Sequence, residues 1–146
     1  MNEKYILEIR AFNRFYTDII GILDKYILNS KYSLPEVRIL YELYHHKSLT
    51  STEIIASLHM DKGYMSRLLK HLEKKKLISK RRSREDGRTV YLELTSLGRK
   101  EFQILNQASN FQIHSMVKNL TVESCDELIQ HMQRIKVILL KNDKNN

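Results

Sequence analysis

Three helix-start signals at short intervals constrain the fold more than any other feature of the sequence. Ser33-x-x-Glu36 and Thr50-x-x-Glu53 have the spacing of capping boxes, in which each side chain binds the backbone N–H at the other end of the motif. Asp61 is a suitable N-cap for a third helix. The signals therefore predict three short helices in succession.

Apolar spacing assigns a buried face to each of these helices. In "MDKGYMSRLLKHLEKKK", four apolar residues recur at i, i+3, i+4 and i+7: Met65, Leu68, Leu69 and Leu72. The predicted stripes of the other two helices are Val37, Leu40, Tyr41 and Tyr44, and Ile54, Ile55 and Leu58. The runs "LISKRRS" and "TVYLELT" follow with strand-like composition, joined by "REDG", whose Asp-Gly predicts a tight turn.

Long helices are predicted on both sides of this segment. Residues 3–29 show helical apolar spacing, Thr95 begins a helix that runs to about residue 119, and Thr121 begins another that runs to about residue 141. The order is α-α-α-α-β-β-α-α, a mainly α fold with a small β-hairpin. We interpret residues 1–146 as one domain, with a winged helix-turn-helix lobe at 33–95 and further helices at 3–29 and 96–141.

The positive charge is confined to one part of the sequence. The chain has a net charge of +8, and residues 61–100 hold 13 Lys and Arg against 5 Asp and Glu. The other 106 residues are neutral, with 12 charges of each sign. A solvated basic face is one interpretation of such a run, but its confinement favours binding of a polyanion. Nucleic acid fits better than an anionic membrane, because the segment is not amphipathic throughout.

Several classes of protein are disfavoured. The N-terminus has no uninterrupted apolar stretch, so we expect neither a signal peptide nor a membrane span. Cys125 is the single cysteine, which excludes an internal disulfide, fits the cytoplasm and is expected to be a buried, inert thiol. The six histidines show no HxxxH spacing and there is no CxxC, so we expect no metal site and no cofactor. No nucleotide-binding or catalytic motif appears, and we expect no enzymatic activity.

The helices at 50–58 and 62–75 are joined by a short turn, "HMD". This spacing fits a helix-turn-helix, whose second helix enters the DNA major groove, but it fits a plain helical hairpin equally well. The outward residues of the second helix favour the first interpretation, since most can donate hydrogen bonds. The candidates for DNA contact are Lys62, Gly63, Tyr64, Ser66, Arg67 and Lys70. Tyr64 could instead shield the interface from solvent.

The predicted hairpin and the start of the preceding helix supply further candidates. Thr50 and Ser51 present hydroxyl and N–H groups suited to a phosphate, although Thr50 is also needed as a cap. Arg84 and Arg88 flank the turn, and arginine is attracted to a narrow minor groove. Asp86 could orient the Arg88 guanidinium through a charge-assisted pair, or could simply form the turn.

The quoted motifs resemble those of the MarR family of transcriptional regulators. "LEKKKLI" is similar to the family's "LEKKGLI", Asp86-Gly87-Arg88 matches its wing "DxR", and Leu94 to Arg99 matches "LTxxGR". Other segments, such as "DKGYMSRLL", look closest to a subgroup often fused to an acetyltransferase domain. Lys76 departs from the pattern, because the family usually has Gly at this helix end. A left-handed Lys there would cost about 1 kcal/mol.

The resemblance implies a homodimer, in which the first and last helices of two subunits interleave, and a pseudo-palindromic double-stranded DNA operator. It implies that Arg88 enters the minor groove, with Asp86 as its positioner, and that Lys62, Tyr64, Ser66 and Arg67 lie in the major groove. Arg81 and Arg82 would meet phosphates or lie along the strand. It also suggests a small-molecule effector bound by aromatic side chains, which could equally be simple core: Phe12, Phe15, Tyr16, Tyr41 and Tyr44.

The sequence therefore favours a dimeric repressor that an effector releases from its operator. An activator, a module that binds an acidic protein, and a non-catalytic accessory to an acetyltransferase are the alternatives.

Overall fold

The structure, a computed structural model, describes residues 2–28 and 31–143, with no description of the side chains of residues 20–28, 142 and 143. The chain divides into two compact units, Met1–Asn110 and Phe111–Asn146. The helices are α1 (Glu3–Leu28), α2 (Leu34–His45), α3 (Ser51–Leu58), α4 (Lys62–Lys74), α5 (Ser96–Val117) and α6 (Val122–Asp143). The strands are β1 (Ser48–Thr50), β2 (Ile78–Arg82) and β3 (Val90–Leu94). The predicted mainly α, winged helix-turn-helix fold is confirmed.

The predicted caps form as hydrogen bonds at the starts of the three short helices. The N–H and hydroxyl of Ser33 both donate to Glu36 Oε2, at 2.8 and 2.9 Å. Thr50 N–H donates to Glu53 Oε2 at 2.7 Å, and Glu53 N–H returns a bond to the Thr50 hydroxyl at 3.3 Å. These contacts satisfy N–H groups that have no partner within the helix, which is why helices begin there.

The sheet has one strand more than the sequence predicted. β1 pairs antiparallel with β3, placing Leu49 opposite Leu92, and β3 pairs antiparallel with β2, placing Ile78 opposite Leu94. The strand order is β1-β3-β2. β1 has only three residues, too few for an alternating pattern to mark it, so only its partner strand makes it recognisable.

One apolar core lies among α2, α3, α4, α5 and the sheet. All four predicted residues of α4 are buried, as are Ile54 and Leu58 of α3. Among the described residues, the core comprises Ile39, Leu40, Leu43, Ile54, Leu58, Met65, Leu68, Leu69, Leu72, Leu77, Ile78, Leu92, Leu94, Phe102 and Leu105. The non-core side of α4 is therefore directed away from the lobe.

The predicted stripe of α2 is confirmed at Leu40, which is fully buried, and Tyr44 packs against the core, but the buried side of the helix is centred about one residue position earlier than predicted. Ile39 and Leu43 are fully buried, whereas Val37 is half-buried and Tyr41 is 49% exposed. Apolar residues on several sides of α2 allow two stripes, and contacts with the other elements select between them. Tyr44 packs beside Phe102 of α5, with ring centroids 4.7 Å apart.

Thr95 joins the end of β3 to the turn after α4. Its N–H donates to the Leu77 carbonyl at 3.0 Å, and its hydroxyl donates to the Lys76 carbonyl at 2.7 Å. The same hydroxyl oxygen accepts the N–H of Gly98 at 3.0 Å and so caps α5. Gly98 lies directly against this turn, where a Cβ would overlap the carbonyl oxygen of Leu77. The "LTxxGR" motif thus has a structural role at this junction.

We predict that Gly98→Ala lowers the free energy of unfolding by about 3 kcal/mol, because the added methyl must displace backbone of the α4–β2 turn. Urea denaturation would measure the change. Gly87→Ala is the matched control, since a Cβ at Gly87 meets nothing within 4 Å and its φ is not positive. Equal stability of the two variants would contradict the close approach.

Lys76 ends α4 in the left-handed conformation, with φ of 59°. Leu77 N–H donates to the Leu72 carbonyl at 3.0 Å and Lys76 N–H donates to the Glu73 carbonyl at 2.9 Å. This is the bonding of a Schellman motif, which usually has Gly at this position. The helix therefore ends in a Schellman motif with lysine at a position that favours glycine.

We predict that Lys76→Gly raises the free energy of unfolding by about 1 kcal/mol, since glycine adopts positive φ without steric cost. Denaturant titration would measure it. Lys74→Gly, inside the last turn of the same helix, should lower stability by about 1 kcal/mol. Destabilisation by both substitutions would show that the Lys76 backbone is not strained.

Candidate nucleic-acid interface

The second helix of the helix-turn-helix, α4, presents its polar side to solvent. Asp61 accepts the N–H of Tyr64 at 2.8 Å and fixes the start of the helix, as predicted. His59 forms the preceding turn in the left-handed conformation, with φ of 50°. Because the apolar side of α4 is buried, the candidate residues are all exposed: Lys62, Gly63, Tyr64, Ser66, Arg67 and Lys70.

Arg67 and Tyr64 form a pair on this exposed side. The Arg67 guanidinium carbon lies 5.8 Å from the centroid of the Tyr64 ring, a cation–π distance. This contact limits the freedom of Arg67, and no carboxylate among the described residues forms an ion pair with its guanidinium. Both functions considered for Tyr64, direct contact and shielding, are compatible with such a position.

Thr50 is committed to its capping role. Its hydroxyl donates to Glu53 Oε2 at 2.8 Å in addition to accepting the Glu53 N–H. The Thr50 N–H and then its hydroxyl, which both donate to the Glu53 carboxylate, hold the pKa of Glu53 below its usual value. Ser51, the first residue of α3, is exposed and has no such commitment among the described hydrogen bonds, so it is the better phosphate candidate of the two.

A groove of about 610 Å³ lies between α3, α4 and the sheet. Its floor is apolar, and three cationic side chains, Lys62, Lys70 and Lys80, line it. The remaining lining residues are Ser51, Thr52, Ile55, Met65, Ser66, Leu69, Val90 and Leu92. The groove brings candidates from α3 and α4 next to the base of the wing, which is the hairpin of β2 and β3 (residues 78–94). The sequence motifs did not predict this proximity.

The loop between β2 and β3, residues 83–89, is held by side chains, not by a left-handed glycine. Ser83 Oγ accepts the N–H groups of Glu85 and Asp86, at 3.3 and 3.2 Å. Ser83 N–H donates to the Thr89 carbonyl at 2.8 Å. The predicted turn at Asp86-Gly87 is present, since Thr89 N–H donates to the Asp86 carbonyl at 3.0 Å, but seven residues separate the strands and Gly87 does not have positive φ.

Asp86 binds the backbone of Arg88. One carboxylate oxygen accepts Arg88 N–H at 3.0 Å, and the other accepts the Thr89 hydroxyl at 3.0 Å. Among the described residues, no carboxylate lies within ion-pairing distance of the Arg88 guanidinium. The expected pair between the two side chains does not form here. Asp86 instead fixes the main chain from which Arg88 projects.

The other basic residues near the wing fall into two groups. Arg81 is paired with Glu93 at 2.8 Å and lies 5.4 Å from the centroid of the Tyr91 ring, while Lys80 is paired with Glu73 at 2.8 Å. Arg82 and Arg84 are exposed, and neither has an ion pair in the part of the chain that the structure describes. The described ion pairs of the wing therefore lie near its base, while the loop at its tip carries Arg84 and Arg88 together with Glu85 and Asp86.

The aromatic candidates do not form one cluster. Phe12 and Tyr16 stack on α1, with centroids 5.7 Å apart, and Phe15 is 61% exposed. Tyr41 and Tyr44 instead pack around Phe102 of α5, which is not among the predicted aromatic residues. No ring contact among the described side chains joins the two groups.

Cys125 is half-buried, so the expectation of full burial was wrong. The described residues contain no group of three His, Cys, Asp or Glu that could hold a metal ion. Within the same ranges, no helix is both long enough and apolar enough to cross a membrane.

A family profile described as "Transcriptional regulator SarA/Rot" matches residues 22–105. The chain belongs to this family. The match covers α2 through β3 and includes every candidate DNA-contacting residue. The prediction of a MarR-type regulator is confirmed as a winged-helix transcriptional regulator of the MarR/SarA type.

Two regulators from Bacillus subtilis (strain 168) are similar in sequence to this SarA/Rot family member. An uncharacterized HTH-type regulator, YdgJ, is 27% identical over 118 residues, which cover 81% of this chain and 71% of YdgJ. The organic hydroperoxide resistance transcriptional regulator is 38% identical over 77 residues, covering 53% of this chain and 50% of its own. The chain thus spans about half the length of the second relative.

Solved structures agree on the fold. A mutant MarR from Escherichia coli in complex with operator DNA is 20% identical, with a TM-score of 0.75 and coverage of 90% of this chain and 95% of MarR. BpsR from Bordetella bronchiseptica, whose DNA binding is regulated by 6-hydroxynicotinic acid, is 16% identical with a TM-score of 0.73. That alignment covers 87% of this chain and 91% of BpsR.

Proposed function

We propose that two copies of this regulator bind a pseudo-palindromic operator in double-stranded DNA and repress transcription until an effector releases them. The observation that carries the proposal is the set of exposed cations without a described carboxylate partner on α4 and the wing loop. These are Lys62, Arg67, Lys70, Arg84 and Arg88. A concentration of unpaired charge is unfavourable for folding unless an anionic partner offsets the repulsion.

Each element then has a role that fits its chemistry. Lys62, Tyr64, Ser66 and Arg67 would contact bases in the major groove, with Gly63 allowing close approach and Lys70 near a phosphate. The wing would place Arg88 in the minor groove, with Asp86 setting its backbone. Ser51, Thr50 and Arg82 would meet phosphates. Arg81 could do so only by exchanging its Glu93 contact, since its guanidinium is already neutralised.

We predict that Arg88→Ala weakens binding to a selected operator by about 1–3 kcal/mol. Arg81→Ala should cause a smaller loss, because Glu93 already compensates that charge. Gel-shift titrations at one salt concentration would measure both, and a salt series should give a shallower slope for Arg88→Ala. The control is Arg38→Ala, an exposed arginine on α2. An affinity of Arg88→Ala equal to that of the parent chain would remove the wing from the interface.

The dimer proposal is supported by apolar side chains exposed in the single chain. On α6, Leu139 and Ile129 are 61% and 56% exposed, and on α1, Ile9 is 61% exposed. Runs of such residues on long helices favour burial against a second subunit. A two-fold dimer would place two α4 helices about one DNA turn apart, which matches an inverted repeat.

We predict that Leu139→Asp converts the dimer to monomer, because a carboxylate at an apolar interface must lose its hydration. Sedimentation equilibrium would report the mass. Gln130→Asp adds the same charge at a polar position of α6 and should leave the mass unchanged. A dimeric Leu139→Asp variant would place the interface elsewhere.

The effector proposal is supported by BpsR, whose DNA binding responds to a small aromatic acid. In this chain the aromatic group of Tyr41, Tyr44 and Phe102 is the better candidate site, and Phe12, Phe15 and Tyr16 would belong to a separate one. A ligand that favours a dimer with altered α4 spacing would release DNA by its differential affinity. Selection of bound genomic fragments would identify the operator and the neighbouring genes.

We propose a cytoplasmic, non-catalytic regulator. A protein-interaction module is distinguished by salt, since operator binding should weaken steeply as salt concentration rises. Turnover of acetyl-coenzyme A by the isolated chain would contradict the non-catalytic assignment, and reporter transcription with and without the chain would separate repression from activation.

A further inference from the structure

A buried carboxylate binds the recognition helix α4 from the side of α2. Glu36 is the N3 residue of the α2 capping box, and its side chain is 4% exposed. Its Oε2 accepts the two bonds from Ser33, and its Oε1 lies 2.6 Å from Nδ1 of His71 on α4. Neither capping nor core packing of α2 requires a partner on α4, so this third contact calls for a separate explanation.

The hydrogen bond has a defined direction. Burial raises the pKa of Glu36, but the bonds from Ser33 and His71, with the nearby charge of Lys75, outweigh that effect and hold the pKa below its usual value. The carboxylate is therefore ionised at neutral pH and can only accept. The proton of the short contact consequently lies on Nδ1 of His71, which fixes the protonation of that nitrogen.

A second contact follows one helical turn later. Lys75 Nζ donates to the Lys31 carbonyl at 2.8 Å and lies 4.5 Å from the Tyr32 ring centroid. Tyr32 in turn donates its hydroxyl to Glu101 of α5 at 3.0 Å. The segment 31–36 thus binds two successive turns of α4 and also contacts α5.

These contacts continue the side of α4 that carries a DNA candidate. Arg67, His71 and Lys75 are spaced at i, i+4 and i+8, so they follow one another along the helix. The apolar residues of α4 hold it by contacts that have little directional preference. A charge-assisted hydrogen bond depends on direction, and it restrains rotation of α4 about its own axis.

We propose that His71 is a positioning residue for DNA binding, which holds the rotational setting of α4 through its Nδ1–H bond to Glu36. This inference rests on the proposed DNA-binding function. A small rotation of α4, within what its packed apolar side allows, would carry Arg67 and Ser66 away from their bases while the lobe stays folded. The bond would therefore contribute to operator affinity separately from its contribution to stability.

The test compares three substitutions at position 71 in the full-length chain. Asparagine places its amide N–H near the Nδ1 position, glutamine extends it toward the Nε2 position, and phenylalanine keeps a ring but cannot donate. We expect His71→Asn to bind a selected operator within about twofold of the parent, and His71→Gln and His71→Phe to bind about tenfold more weakly. His46→Asn, at an exposed histidine after α2, is the matched control.

Two further measurements keep the outcomes distinct. Nitrogen-15 NMR of the imidazole should show His71 protonated at Nδ1 in the parent, and Glu36→Gln should alter that signal without DNA present. Circular dichroism would give the folded fraction of each variant, and affinities would be expressed per folded protein. If His71→Phe fails to fold, the asparagine–glutamine comparison still decides.

Equal affinities of the asparagine and glutamine variants, or an affinity loss explained wholly by unfolding, would overturn the positioning role. An Nδ1 without a proton would overturn the bond itself. Failure of the parent chain to select any DNA would instead contradict the proposed function, while the NMR result would still report on the bond.

Discussion

The hydrogen bonds of Thr95 are the interaction on which the geometry of the lobe depends. Three parts of the chain meet there, namely the end of the recognition helix α4, the strands of the wing and the start of α5. Thr95 binds the Lys76 and Leu77 carbonyls and also caps α5 through Gly98. The wing therefore cannot change its angle to α4 without breaking bonds in the helix cap, the sheet or both.

The base and the tip of the wing differ in whether their cationic side chains form ion pairs. At its base, Lys80 and Arg81 are paired with Glu73 and Glu93, and such exposed pairs contribute little to stability but neutralise local repulsion. At its tip, Arg84 and Arg88 have no ion pair among the described residues. The tip can remain ordered with this charge because Ser83 and Asp86 bind the loop backbone. The ion pairs at the base thus leave the charges at the tip available for the proposed contact with DNA.

Features encoded within a few residues were predictable from the sequence. The caps at Ser33, Thr50 and Asp61 and the buried side of α4 follow from local spacing, and all are present. Features that depend on a distant partner were not. β1 exists only because β3 lies beside it, the rotation of α2 is selected by its neighbours, and the bond from His71 to Glu36 joins residues 35 positions apart. The bond from the Arg88 N–H to Asp86 was not predicted for another reason. Nearly every residue has a backbone N–H, so the sequence does not indicate which one a carboxylate will bind.

Besides its buried apolar side, the recognition helix α4 makes its polar contacts with other elements at its C-terminal end. The first contact is made by the segment 31–36, which binds His71 and Lys75. The second is made by Thr95, which binds the left-handed turn at Lys76. The DNA candidates lie mostly nearer the N-terminal end, where the Asp61 cap is a local contact. An effector need not reach those residues to release DNA. A ligand that shifted either contact would move the DNA candidates of α4 together. A coupling free energy of about 1–3 kcal/mol between ligand binding and DNA binding would change DNA affinity by roughly 5–150-fold.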